Sequence, residues 1–238
     1  MVTGVISNGQ SYDMKNIKAM RSVGGYVGRM QTGGAANFGN TSILGLKLNL
    51  GQLVKAAQVF VPTIRSGSVH GWQYGMTVTA TGTDFIHNCG YAGGYVGSAY
   101  GAQIWGDKGV NDGPSSGCNV INLKFVRGNN AVGGFVGIAT AASVADVNTN
   151  ASDGLLQNVL NSLISTPGDL ASVMQATVTT IRQAEITIES KENDSTDNDK
   201  EKRPDNKNFG FIVEGYNGTI PRFAGGFAGS LEASVIGS

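Results

Sequence analysis

Acid–base, nucleophilic or metal chemistry in this chain would have to be built from a short list of groups. It has two histidines, His70 and His87, and two cysteines, Cys89 and Cys118. Four body carboxylates, Asp84, Asp107, Asp112 and Asp146, lie far apart in the sequence. Their spacing forms none of the patterns that such chemistry needs: there is no HExxH, no GxSxG and no phosphate-cradling P-loop. Phrases such as Gly24-Gly-Tyr-Val-Gly28 do not match GxGxxG, and they recur, which a cofactor loop would not do. Each histidine is flanked by turn-like residues, so a lone structural or surface role is expected for it. No catalytic residue, no cofactor and no metal site is expected.

One segment superficially resembles a calcium loop: Asn193-Asp-Ser-Thr-Asp-Asn-Asp-Lys-Glu201. It lacks the glycine at the sixth position and the glutamate at the twelfth that an EF-hand requires, and its basic residues repel a cation. Residues 189–207 are therefore expected to form a disordered excursion between two strands. Binding chemistry has better material. Trp72 and Tyr74 lie in Ser68-Val-His-Gly-Trp-Gln-Tyr-Gly75, and Tyr100 and Trp105 in Ser98-Ala-Tyr-Gly-Ala-Gln-Ile-Trp-Gly106. Large rings among Gly, Ser and Gln make up protein-binding paratopes, and sugar-stacking sites look alike. The same rings would also serve to fill corners of a scaffold.

The composition narrows the scaffold. Glycine is 36 of 238 residues, roughly twice the usual share, and the charged fraction is only 14%. Lysine plus arginine (17) equals aspartate plus glutamate (17), against a nucleic-acid binder or a polybasic membrane-surface protein. The charges are also segregated, with twelve of the 34 falling between Glu189 and Lys207. Stacked β structures tolerate so neutral a body, because main-chain ladders replace surface ion pairs. No apolar run is long enough to cross a bilayer, and Met1–Lys15 has the form of no secretion signal.

An internal repeat organises the rest. The phrase [VA]-G-G-[YF]-[VA]-G occurs at Val23–Gly28, Ala92–Gly97, Val132–Gly137 and Ala224–Gly229. Its glycine pairs, Gly24-Gly25, Gly93-Gly94, Gly133-Gly134 and Gly225-Gly226, are separated by steps of 69, 40 and 92 residues. Units 24–92, 93–132 and 133–224, with a partial unit 225–238, read as a piece of a longer array in one repeat-built domain. A repeat that cannot bury its own apolar face must stack on its neighbours. Paired glycines are expected to reach positive φ at a tight corner and to leave room for the next coil. Tyr26, Tyr95, Phe135 and Phe227 would then stack in the interior, one ring per coil.

The expected fold is mainly β: a right-handed parallel β-helix or β-solenoid, with leucine-rich helices packed on it. A β-sandwich fits less well, because its turns should recur every 8–12 residues. In 50–61 the apolar positions fall on one helical face, ended by Pro62; in 155–164 and again in 170–181 they do the same. Cys89 and Cys118 are 29 residues apart, comparable to one coil, so a disulfide and a pair of buried thiols both stand as readings.

These phrases resemble the glycine-rich repeats of large Gram-positive surface proteins, and the GLUG-type repeats of bacterial adhesins are similar. The alternation of GGYVG, a leucine-rich segment and Val61-Pro-Thr-Ile-Arg65 looks like the repeat units of wall-anchored proteins of gut commensals, the B-cell superantigens that bind immunoglobulin variable domains. The resemblance covers essentially the whole chain but rests on a structural motif. It implies an extracellular, cell-wall location, with signal and anchor outside this chain, and a non-catalytic binding module. Its partner would be a host protein, the immunoglobulin variable domain being the candidate, with no membrane insertion and a monomeric fragment. No contact residue is carried over. The alternatives are a structural spacer of an adhesin and a glycan-binding or glycan-degrading β-helix.

Overall fold

The computed structural model describes residues 4–31, 61–84, 89–106, 117–141, 178–188 and 210–237. The described chain is mainly β, with parallel strands in four curled sheets, and it advances in layers. The first layer holds β1 (Val5–Met14), β2 (Asn16–Ala19), β3 (Ser22–Gly24) and β4 (Val27–Gln31). The second holds β5 (Thr63–Gly71), β6 (Met76–Ala80), β7 (Tyr91–Gly93) and β8 (Val96–Tyr100). The third holds β9 (Gln103–Trp105), β10 (Cys118–Ile121), β11 (Leu123–Arg127), β12 (Ala131–Gly133) and β13 (Val136–Thr140). The fourth holds β14 (Thr179–Arg182), β15 (Ala184–Thr187), β16 (Ile212–Glu214), β17 (Phe223–Gly225) and β18 (Ala228–Glu232), and β19 (Ser234–Gly237) follows.

Each layer contributes strands to the same sheets in the same order. Sheet A contains β1, β5, β9, β10, β14, β15 and β19; sheet B runs β2-β6-β11-β16, sheet C β3-β7-β12-β17 and sheet D β4-β8-β13-β18. The long β5 pairs with β9 through its first half and with β10 through its second. In sheet C, Val23 faces Ala92, Ala92 faces Val132 and Val132 faces Ala224. These pairings reproduce the unequal steps of the glycine phrase, so the length of each insert leaves the register untouched. Register holds because a one-residue slip would turn every buried side chain outward.

The glycine phrase has a steric cause at all of its paired positions but Gly226, and it is not the expected one. None of the paired glycines has a left-handed backbone; the glycines that do are Gly75, Gly90, Gly101 and Gly218 among the described residues. Close approach decides instead. A Cβ on Gly94 would stand 2.1 Å from the carbonyl oxygen of Gly134, and one on Gly134 2.1 Å from that of Gly226. A Cβ on the first glycine of each pair would strike its own chain three residues on, 2.0 Å from the Val96 oxygen in the case of Gly93. The left-handed corners between strands fall largely to polar residues. Asn8, Ser66 and Gln183 (φ 52, 49 and 50) bend sheet A between its two halves, and Asp13 and Asn122 turn toward sheet B. Asn and Asp tolerate this region because their short polar side chains bond locally.

Two columns form the core. Tyr26, Tyr95, Phe135 and Phe227 stack ring on ring, with centroids 4.7, 4.7 and 4.9 Å apart. Tyr95 and Phe135 are fully buried, while the end rings Tyr26 and Phe227 are half-buried. Ile6, Ile64, Ile104 and Ile181, one from each layer, and Ile236 from β19 stand in register as the second column. The inner three are fully buried, and each stabilises the fold by roughly 1.5–3 kcal/mol. The ends, Ile6 and Ile236, are 40% and 43% exposed.

Ile181 corrects one expectation. The leucine-rich periodicity places Val178 and Ile181 on a helix, but Thr179–Arg182 is a strand in which Ile181 pairs with Ile104 and Ile236. Burial in the isoleucine column outweighs a helical spacing that ends in β-branched residues. The rest of both leucine-rich stretches, apart from Val61, lies outside the described residues, as does 189–207. Cys89 and Cys118 are both buried and are not bridged to one another. Cys118 stacks between Gly67 and Ala184 in sheet A, whereas Cys89 precedes β7 of sheet C, so a sequence interval of one coil does not place them side by side.

Candidate binding face

The first two layers gather the most exposed aromatic group. Parallel pairing of β1 with β5 sets Ser11 against Val69, and the next residues, Tyr12 and His70, stack outside the sheet. Their ring centroids are 4.5 Å apart at 28°. Tyr12 is 60% exposed, and its hydroxyl donates to the Gln10 side chain. The Ser68 hydroxyl lies 2.9 Å from His70 Nε2, which fixes the imidazole from below. His70, expected to have a lone structural or surface role, is held by two neighbours. His87 lies outside the described residues.

At the end of β5 the chain turns. The Trp72 amide donates to the Met14 carbonyl (2.9 Å), and the Gly75 amide donates to the Trp72 carbonyl (2.7 Å), closing the loop with Gly75 at φ 92. The loop presents Trp72 and Tyr74 edge to face, centroids 4.5 Å apart at 75°. Lys15, entering β2, places its ammonium 3.9 Å over the Trp72 ring. One indole face is therefore occupied by a cation, and both rings are half-buried. The pair acts as a rigid post beside Tyr12 and His70. Their setting among Gly, Ser and Gln marks Trp72 and Tyr74 in the sequence; Tyr12, Lys15 and His70 join them only through strand pairing.

The other two aromatic candidates do not join this group. Tyr100, ending β8 in sheet D, hydrogen-bonds Tyr91 and has the Arg29 guanidinium 5.1 Å over its ring. Burial pushes its phenol up to about 12. With Tyr91, Ala131 and Ile138 it belongs to a small apolar cluster between sheets C and D, the corner-filling role weighed for it. Trp105, ending β9, stands on the outer face of sheet A between Arg65 and Arg182 in register.

As chemistry, the Tyr12–His70–Trp72–Tyr74–Lys15 group offers flat apolar rings, one cation and hydrogen-bonding tips. Ser68 and His70 have the elements of a nucleophile–base pair, but the hydroxyl belongs to a residue only 2% exposed. Of the four carboxylates singled out, Asp84 is exposed and the others lie outside the described residues. Among the described residues no three His, Cys, Asp or Glu side chains come together as a metal site, and no helix is long and apolar enough to cross a membrane. Comparison with protein-family models, curated proteins and solved structures finds no match to this chain.

Proposed function

We propose that this chain is a non-catalytic binding module of a bacterial cell-surface protein, built as a right-handed parallel β-solenoid, and that its ligand is a host protein. The immunoglobulin variable domain is the candidate ligand, on the strength of the repeat resemblance. The solenoid reading is supported by four layers that feed the same sheets in parallel register. The right hand is supported by the strong preference of parallel crossovers for it. The display role is carried by one observation: Tyr12, stacked on His70 and 60% exposed, beside the braced Trp72–Tyr74 pair. Rigid aromatic residues give large contact area at low entropic cost, and such residues dominate binding energy in protein interfaces.

Biolayer interferometry with Fab and Fc fragments of polyclonal immunoglobulin tests the reading. Binding to Fab that weakens at least about tenfold in Tyr12→Ala or Tyr74→Ala is expected. Absence of response to both fragments at micromolar concentration removes the immunoglobulin ligand. A response that both substitutions leave unchanged removes this face. The spacer reading keeps one observation in its favour: the ring column runs unbroken through all four layers, which suits a stiff rod. It predicts no ligand at all.

A further inference from the structure

Sheet A carries a second chemical feature on its outer face, away from the Tyr12 group. Ser7, Arg65, Trp105, Arg182 and Gly237 stand in one column, and Val5, Thr63, Gln103, Thr180 and Val235 in the column beside it. Arg65 and Arg182 are exposed, and Trp105 between them is half-buried. The Arg182 guanidinium lies 5.9 Å from the indole centroid. Strand spacing of about 4.8 Å puts the two arginine positions about 10 Å apart with the ring midway. No carboxylate stands in either column. Arg127 and Glu214 form an ion pair elsewhere, on sheet B. The Trp105 indole nitrogen is itself buried, so the ring offers a face rather than a donor. In a body this poor in charge, two exposed guanidiniums flank an indole, with the neighbouring Gln103 and Thr180 beside them.

We propose that the Arg65–Trp105–Arg182 column is a binding site for an acidic saccharide. A pyranose ring lies with its apolar face toward Trp105, and sulfate or carboxylate groups on either side meet Arg65 and Arg182. Guanidinium matches both anions through paired N–H donors. A saccharide is favoured over an acidic peptide by the position of the column. An extended peptide gains much of its affinity by adding a strand to an open sheet edge. Here β9 is paired on both sides, to β5 and β14, so its backbone offers no edge and side chains alone must recognise the ligand. This site is independent of the Tyr12 face and of any protein ligand there.

The test is calorimetric titration of the whole chain with a heparin-derived octasaccharide, with oligogalacturonate and with polyglutamate of matched charge. The two saccharides separate sulfate from carboxylate recognition, and the peptide polymer separates sugar from charge alone. Saturable binding of at least one saccharide, tighter than polyglutamate, is expected. Arg65→Ala and Arg182→Ala should each weaken it about tenfold or more, while Arg29→Ala on sheet D leaves it unchanged. Trp105→Phe, which keeps the packing, should weaken saccharide binding and leave any residual polyglutamate binding alone. Because both arginines are exposed, their variants should retain the parent melting temperature. No saturation by either saccharide, equal binding of polyglutamate, or indifference to the arginine substitutions would each overturn the proposal.

Discussion

The hydroxyl of Tyr95 reaches across the interior and donates to the carbonyl of Gly67, 3.1 Å away. There is no room for a side chain beneath it: a Cβ on Gly67 would stand 2.6 Å from the Tyr26 hydroxyl and 3.0 Å from that of Tyr95. Gly9, one layer earlier, faces the Tyr26 hydroxyl in the same way, at 2.1 Å. The column then changes composition on both sides. Where the rings become Phe135 and Phe227, the positions in register with Gly9 and Gly67 become Cys118 and Ala184. Within a layer a ring hydroxyl stands against glycine and a bare ring against a side chain, while the Cys118 side chain hydrogen-bonds the Tyr95 hydroxyl of the layer before it.

Gly67→Ala is therefore expected to destabilise the fold by about 1–3 kcal/mol, the range for an overpacked core. Phe135→Tyr should do the same, because its new hydroxyl points toward Cys118. Combining Phe135→Tyr with Cys118→Gly should recover much of the loss. Denaturant unfolding of the two single variants and the double variant gives the coupling directly, and strict additivity would refute this matching of ring and opposing residue.

Gly94→Ala should be worse than Gly67→Ala. Its Cβ would meet the backbone oxygen of Gly134 at 2.1 Å, and backbone cannot rotate away as a tyrosine hydroxyl can. Loss of the cooperative melt by circular dichroism is expected. A variant that melts within a few degrees of the parent would show that the layers can separate at this corner.

The isoleucine column predicts a gradient along the stack. Ile104→Ala removes a fully buried side chain between two others and should cost about 2–5 kcal/mol. Ile6→Ala, at the 40% exposed end of the same column, should cost well under half as much. Chemical denaturation of both variants checks the ratio, and equal losses would remove the column as a continuous core.

Alkaline pH should unfold this protein. Burial pushes the Cys118 thiol up to about 11 from its ordinary 9.0, and it also raises the phenols of Tyr95 and Tyr100. Each group keeps its proton in the folded state after the unfolded chain has released it. Stability is thus fully present below about pH 9 and is lost as pH climbs through 11. Melting temperature measured from pH 7 to 11 should fall, and Cys118→Ala should flatten the fall above pH 9. Native Cys118 should also react slowly with iodoacetamide at pH 8, and rapidly once denatured.

Much of the scaffold was legible in the residues themselves. Four copies of one phrase announced stacked units, and aromatic residues at matching positions announced a shared column, because identical neighbours repeat identical contacts. The same reading assigned the paired glycines a left-handed backbone and Ile181 a helix. Composition records that a side chain is missing or apolar, not what stands against it. The carbonyl of Gly134 beside Gly94, and Ile104 beside Ile181, lie 40 and 77 residues away in sequence. The binding face divides in the same way. Trp72 and Tyr74 are neighbours in the chain and were visible together. Tyr12 meets His70, and Arg65 and Arg182 flank Trp105, only through parallel pairing whose register holds across inserts of unequal length. Local sequence specifies which groups a strand carries. Hydrogen bonding between strands remote in the chain decides which of those groups share a surface.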